Sequence, residues 1–293
     1  MTFRNIFLVC AFALLCAGVS AQQPDRQQIL DVLDKGGCIT LEKVIVCKYN
    51  YISGGHNVEA ISFQPPGEGR FPGILLIPGY QRSATDYISL GRILGQQGFA
   101  SLAVTQPGFG KSDGKADYVG PATIEALTTG FKKFRRESFV DSNKMGVFGY
   151  SRGGMAASLL AVKLEGVRAA VFGAGIYDFQ RAYDEVKIEG IRENMKAETG
   201  MTKKGIEERS SILQMKKLRA PVLILHGEKD ENVPVSQALL LRARLFELKK
   251  DFEIKLFPNA EHGIPGDEWI PIAIDFFSRR LKGVEAKDLP KFR

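Results

Sequence analysis

Residues 144–154 read KMGVFGYSRGG, an apolar, strand-like run from Lys144 to Tyr150 that passes without a spacer into a helix starting at Arg152. The junction, Gly149-Tyr150-Ser151-Arg152-Gly153, has the form G-x-S-x-G. A chain that turns so sharply leaves no room for a side chain at Gly149 or Gly153, and it lifts Ser151 above the end of the strand. Ser151 also stands at a helix N-terminus, where unpaired N–H groups favour a developing negative charge.

Outward from this turn the chain alternates strand-like and helix-like segments, the pattern of a largely parallel sheet covered by helices. Upstream, Lys43 to Ser53 and Val58 to Gln64 read as two strands around Gly54-Gly55-His56-Asn57, so the sheet is expected to open with an antiparallel hairpin. Pro72 to Pro78 is a short continuous apolar run, as in a strand buried on both faces. A helix over Tyr87 to Gln97, a strand over Ala100 to Thr105, the turn Pro107-Gly108-Phe109-Gly110 and a helix over Ala122 to Arg136 follow. Downstream come strands at Arg168 to Phe172, Pro221 to Leu225 and Phe252 to Phe257, with helices at Ser236 to Leu248 and Trp269 to Leu281. Residues 177–218 carry charged, helix-compatible sequence and no strand signal. They are expected to form a helical insertion over the C-terminal edge of the sheet, where open α/β sheets bind ligands.

A serine hydroxyl is a weak nucleophile until a base takes its proton. The chain has three histidines. His56 lies in the hairpin turn and His226 ends its own strand, where a structural hydrogen bond is expected, which leaves His262 as base. An acid to orient it comes from His226-Gly-Glu-Lys-Asp-Glu-Asn-Val-Pro234. Glu228, Asp230 and Glu231 all qualify, and spacing does not separate them.

The turn GYSRGG, the run RSSILQMKKLRAPVLILHGEKDENVPVSQ and the segment FEIKLFPNAEHG together resemble the catalytic domain of the prolyl oligopeptidase family and its single-domain relatives, including dienelactone-hydrolase-like and acetyl-esterase-like enzymes. The resemblance covers roughly residues 72–281. It implies an α/β-hydrolase fold and the catalytic triad Ser151, Asp230 and His262. It also implies an oxyanion hole formed by the N–H of Arg152 and a donor at Tyr80, with the choice between the Tyr80 N–H and hydroxyl left open. Two positions depart from the family pattern: Gln106 replaces an aspartate before the P-G-F-G turn, and Arg152 replaces an aromatic residue. Arg152 is expected to pair with an acid of the insertion rather than with substrate. Cysteine would be the nucleophile of a dienelactone-type site, and Ser151 argues against that activity.

The expected activity is acyl transfer to water, with small carboxylic esters as the first substrate class and peptides or amides as the second. A non-catalytic binding protein of the same fold is the rival from another class. No metal-ligand cluster or phosphate loop is present in the sequence, so no cofactor is implied. The net charge is +7, but the basic residues are scattered, without the basic stripe interleaved with aromatics that a nucleic-acid groove requires.

Met1 to Ala21 holds Arg4, an apolar run and a small-residue end, which predicts a secretory signal cleaved after Ala21 and a secreted or periplasmic protein. Leu14-Leu15 argue against a lipid-modified Cys16, and the apolar run is too short to span a bilayer. The remainder, residues 22–293, is expected to be one domain. Its two cysteines, Cys38 and Cys47, are expected to form a disulfide that pins the N-terminal segment; the alternative is two thiols in an apolar strand.

Overall fold

The computed structural model describes residues 24–284; the expected signal segment lies outside them. Asp25 starts the first helix, α1 (Arg26–Asp34), by accepting the Gln28 N–H at 2.8 Å while the Gln28 side chain accepts the Asp25 N–H at 3.0 Å. This reciprocal cap satisfies two N–H groups that the first helical turn leaves free. Strands β1 (Cys38–Leu41) and β2 (Val44–Lys48) form an antiparallel hairpin in which Cys38 faces Cys47, and the two are joined by a disulfide.

The hairpin expected from residues 43–64 is more broken than the sequence pattern suggests. The run Lys43 to Ser53 is not one strand: β2 pairs with β5 (Ala60–Gln64), while β3 (Tyr51–Ser53) and β4 (His56–Val58) make a separate two-stranded ribbon around Gly54 and Gly55. The chain leaves the large sheet at Tyr49 and Asn50, where the Asn50 side chain accepts the Ala60 N–H. Tyr51 is thereby buried, with its hydroxyl donating to the Ala126 carbonyl. Apolar alternation runs through such a bend without registering it, because the side chains still alternate while the strand changes partner.

The parallel part follows the expected order. It comprises β6 (Phe71–Ile77), α2 (Ile88–Gln96), β7 (Ala100–Val104), α3 (Pro121–Phe134), β8 (Val140–Tyr150), α4 (Arg152–Lys163) and β9 (Val167–Gly173). Three helices, α5 (Phe179–Glu185), α6 (Glu189–Thr199) and α7 (Lys203–Arg209), occupy the stretch before β10 (Val222–Gly227). The chain then forms α8 (Ser236–Glu247), β11 (Phe252–Phe257) and α9 (Gly266–Phe277), and α9 runs on into a single π turn.

The nine-stranded sheet has the order β1-β2-β5-β7-β6-β8-β9-β10-β11. Strands β7 to β11 in that order are parallel, and β1, β2 and β5 form the antiparallel flank. Its two faces support two separate cores. In β6, Leu75 and Ile77 pack with residues of α3, α4 and α8, whereas Ile74 and Leu76 pack with residues of α2 and α9. Burial on both faces explains why β6 reads as a continuous apolar run.

Candidate active site

Strands β6, β8 and β10 end at one edge of the sheet, and each delivers a loop to the same place. The turn after β8 is confirmed in its steric demands: a Cβ on Gly149 would lie 1.9 Å from the Gly153 carbonyl oxygen, and one on Gly153 would lie 1.9 Å from that of Ile77. Neither position tolerates any side chain. Ser151 itself has φ 58° and ψ −124°, a strained conformation for a residue with a Cβ, and its N–H donates to Gly173 at 2.8 Å.

Three side chains meet above this edge. His262 Nε2 lies 2.8 Å from Ser151 Oγ, and His262 Nδ1 lies 2.8 Å from Asp230 Oδ2. Asp230 is 7 % exposed, while Glu228 and Glu231 point into solvent, so among the three candidate acids the geometry singles out Asp230. Its other oxygen accepts the N–H groups of Asn232 (3.0 Å) and Val233 (2.8 Å). Burial by itself would raise the Asp230 pKa, but hydrogen bonds from His226 and His262, with the Val233 N–H, outweigh it and hold the carboxyl at about 2. The acid is therefore ionised wherever the protein is folded near neutrality, and it selects the imidazole tautomer that leaves Nε2 free to accept from Ser151.

The other two histidines lie elsewhere. His56 is exposed on the β3–β4 ribbon. His226 is fully buried beneath Asp230, with Nε2 2.9 Å from the Val233 carbonyl and 3.4 Å from Asp230 Oδ2. It braces the acid's loop and does not reach Ser151.

Arg152 opens α4, so its N–H is one of the first-turn groups with no intrahelical partner. Its side chain turns away from the serine and makes two 2.9 Å contacts with Glu198 of α6. On the other side, a Cβ on Gly79 would lie 3.3 Å from that of Ser151, so the loop after β6 runs directly against the turn. Gln106 holds this loop by donating to the Pro78 carbonyl at 2.6 Å. Tyr80 follows, and its hydroxyl accepts from Asn194 Nδ2 at 3.2 Å.

A cavity of about 670 Å³ opens beside Ser151, walled by Tyr80, Tyr87, Leu90, Tyr118, Tyr150, Ile191, Ile264 and Trp269. Sequence reasoning passed over Tyr150. Its hydroxyl donates to the His262 carbonyl at 2.6 Å and accepts the Ile264 N–H at 3.2 Å. Burial pushes its pKa up to about 12, so it remains a neutral donor. It occupies the first variable position of the serine turn, but its partner is far away in sequence and nothing local announces the contact. Glu198 was likewise one acid among many in the insertion.

A nucleophile turn, a histidine in contact with it, and a buried carboxylate behind that histidine, all at one sheet edge, define a serine hydrolase of the α/β-hydrolase fold. The model of the prolyl oligopeptidase family matches residues 113–283, and the chain belongs to that family. It is 31 % identical over 225 residues to the uncharacterised peptidase YtmA of Bacillus subtilis, covering 74 % of this chain and 86 % of that one. Its fold is similar to that of the acylaminoacyl peptidase of Pyrococcus horikoshii (TM-score 0.74, 19 % identity, 91 % of this chain but 45 % of that one). It is also similar to acetyl xylan esterase 1 of Thermoanaerobacterium (TM-score 0.66, 17 % identity, 86 % of this chain and 91 % of that one). The chain thus spans most of YtmA and of the esterase but less than half of the Pyrococcus peptidase.

Proposed function

We propose that the chain hydrolyses short peptides and related amides by nucleophilic acyl transfer, with Ser151 as nucleophile, His262 as general base and then acid, and Asp230 as the group that orients and stabilises the imidazolium. The observation that carries this reading is the unbroken contact from Ser151 Oγ through His262 to Asp230, with 2.8 Å at each step. Ser151 Oγ attacks the carbonyl carbon as Nε2 takes its proton; His262 returns that proton to the leaving amine; water then repeats the sequence on the acyl-enzyme. The N–H of Arg152 and a donor at Tyr80 bind the oxyanion in this scheme; the Tyr80 hydroxyl accepts from Asn194 and so keeps its own proton to donate.

The order of substrate classes is the reverse of the one expected from sequence. Peptides move ahead of esters because YtmA, which this chain nearly spans, is described as a peptidase. Activated esters remain substrates for the same machinery, because they present the same carbonyl with an easier leaving group.

The Met1 to Ala21 segment supports export, and the Cys38–Cys47 bond suits an oxidising compartment. Among the described residues no helix is long and apolar enough to cross a membrane.

The test is turnover of N-acylated aminoacyl anilides and short-chain nitrophenyl esters by the protein beside Ser151→Ala. Anilide and ester turnover, both lost in the variant, is the expected result. Ester turnover alone would return esters to first place, and activity surviving in the variant would overturn the triad.

A further inference from the structure

Arg152 lines the cavity and is paired there with Glu198 of α6. The side chains of Arg152 and Glu198 are only 4 % and 13 % exposed. The Arg152 guanidinium also lies over the rings of Tyr118 (4.1 Å), Tyr80 (4.6 Å) and Phe109 (5.3 Å). Glu198 Oε2 accepts a third hydrogen bond, from the Tyr118 N–H at 2.6 Å. Tyr118 and Val119 have φ of 46° and 59°, and Arg209 holds the same bend through the Asp117 and Tyr118 carbonyls. The Glu198 carboxylate is therefore spent entirely on neighbouring protein groups.

The other charges on the cavity wall are Arg82 and Asp86. Asp86 lies 3.7 Å from Arg82 and 3.4 Å from Arg26, and accepts the Ser83 N–H at 2.9 Å. Among the described residues, then, the wall offers no carboxylate without a cation beside it, and the Asp230 carboxylate is screened behind His262. An ammonium group entering this cavity would lose its water and meet no unpaired carboxylate; the Tyr80 and Tyr118 rings already hold the Arg152 guanidinium, and cation–π contact with the other rings offsets only part of the lost hydration. An uncharged group would lose little.

We infer that the Arg152–Glu198 pair sets specificity: by neutralising Glu198 it makes the cavity select substrates whose acyl side is uncharged, such as N-blocked residues, and reject those with a free α-ammonium next to the scissile bond. Without the Arg152 side chain the same carboxylate would face the cavity as an amine site. This inference rests on the hydrolase reading above.

Paired phosphonates test it on the full chain. In a diphenyl 1-aminoethylphosphonate, Ser151 Oγ bonds to phosphorus, one phenoxide leaves, and the serine proton passes through His262 to give phenol. The probe is used with its amine free and with its amine acetylated, beside a small alkyl fluorophosphonate that carries no amine. Adduct mass at Ser151 gives each rate. The acetylated probe is expected to react at least tenfold faster at pH 7. Arg152→Met is expected to narrow that ratio at least fivefold, and adding Glu198→Gln to it to restore the preference. Equal rates in the wild type, including no reaction of either probe beside rapid fluorophosphonate labelling, overturn the inference while leaving the nucleophile intact. Absence of fluorophosphonate labelling overturns the hydrolase reading and the inference together. The wild-type ratio decides the matter even where Arg152→Met does not fold; a folded Arg152→Met with the wild-type ratio overturns the role given to Arg152.

Discussion

The hydroxyl of Tyr150, the residue directly before the nucleophile, donates to the main-chain carbonyl of His262, the residue that contacts the nucleophile. The turn that presents the serine and the loop that presents the histidine are thus tied by one short hydrogen bond. Tyr150→Phe keeps the ring, which stands edge-on to His262, and removes the hydroxyl, with this tie and the bond it accepts from the Ile264 N–H. A hydrogen bond of this kind is worth about 1 kcal/mol, so kcat is expected to fall roughly fivefold to tenfold with KM nearly unchanged. Steady-state kinetics with a thermal melt separates this from simple destabilisation.

Asp230→Asn retains the shape of the acid and loses its charge. An amide in this place can present its NH2 to His262 and favour the wrong tautomer, and kcat is expected to fall on the order of 10⁴-fold. A loss of less than tenfold would mean that the carboxylate has no part in the chemistry.

The same residue gives a pH dependence of stability. The Asp230 pKa is lowered from 3.8 to about 2, so its contribution, about 2 kcal/mol, is complete above the unfolded-state value and is lost as pH falls through the folded-state value. The stability gap between wild type and Asp230→Asn is therefore expected to shrink by about 1 kcal/mol between pH 5 and pH 3. Urea unfolding of both proteins at the two pH values measures it.

Glycine positions separate steric demand from propensity. Gly153→Ala sets a methyl against the Ile77 carbonyl and is expected to cost more than about 4 kcal/mol or prevent folding. Gly190, near the start of α6, has open space where its Cβ would be, and Gly190→Ala is expected to stabilise by about 0.5 kcal/mol. Denaturant melts of the two variants give opposite signs.

The Cys38–Cys47 bond closes a short loop, and removing it by a double alanine substitution is expected to cost about 2–3 kcal/mol. Alkylation before and after reduction, read on the peptides containing these residues, checks that both thiols are released only by reductant.

What the sequence by itself determined were the features carried by neighbouring residues: the strand-turn-helix around Ser151, the apolar runs of β6, β8 and β10, and the order of serine, acid and histidine along the chain. Each rests on local sterics or on burial of a short run, which a handful of consecutive side chains suffices to encode. Spacing alone left Glu228, Asp230 and Glu231 equivalent, because all three sit in one loop; only the folded loop buries Asp230 against His226 and His262 and leaves its two neighbours in water. The bend at Asn50, the Tyr150 tie and the Glu198 contacts were decided by tertiary structure for the same reason. Each pairs groups from elements distant in sequence, and whether a carboxylate such as Glu198 is free or neutralised depends on which side chain the fold brings against it.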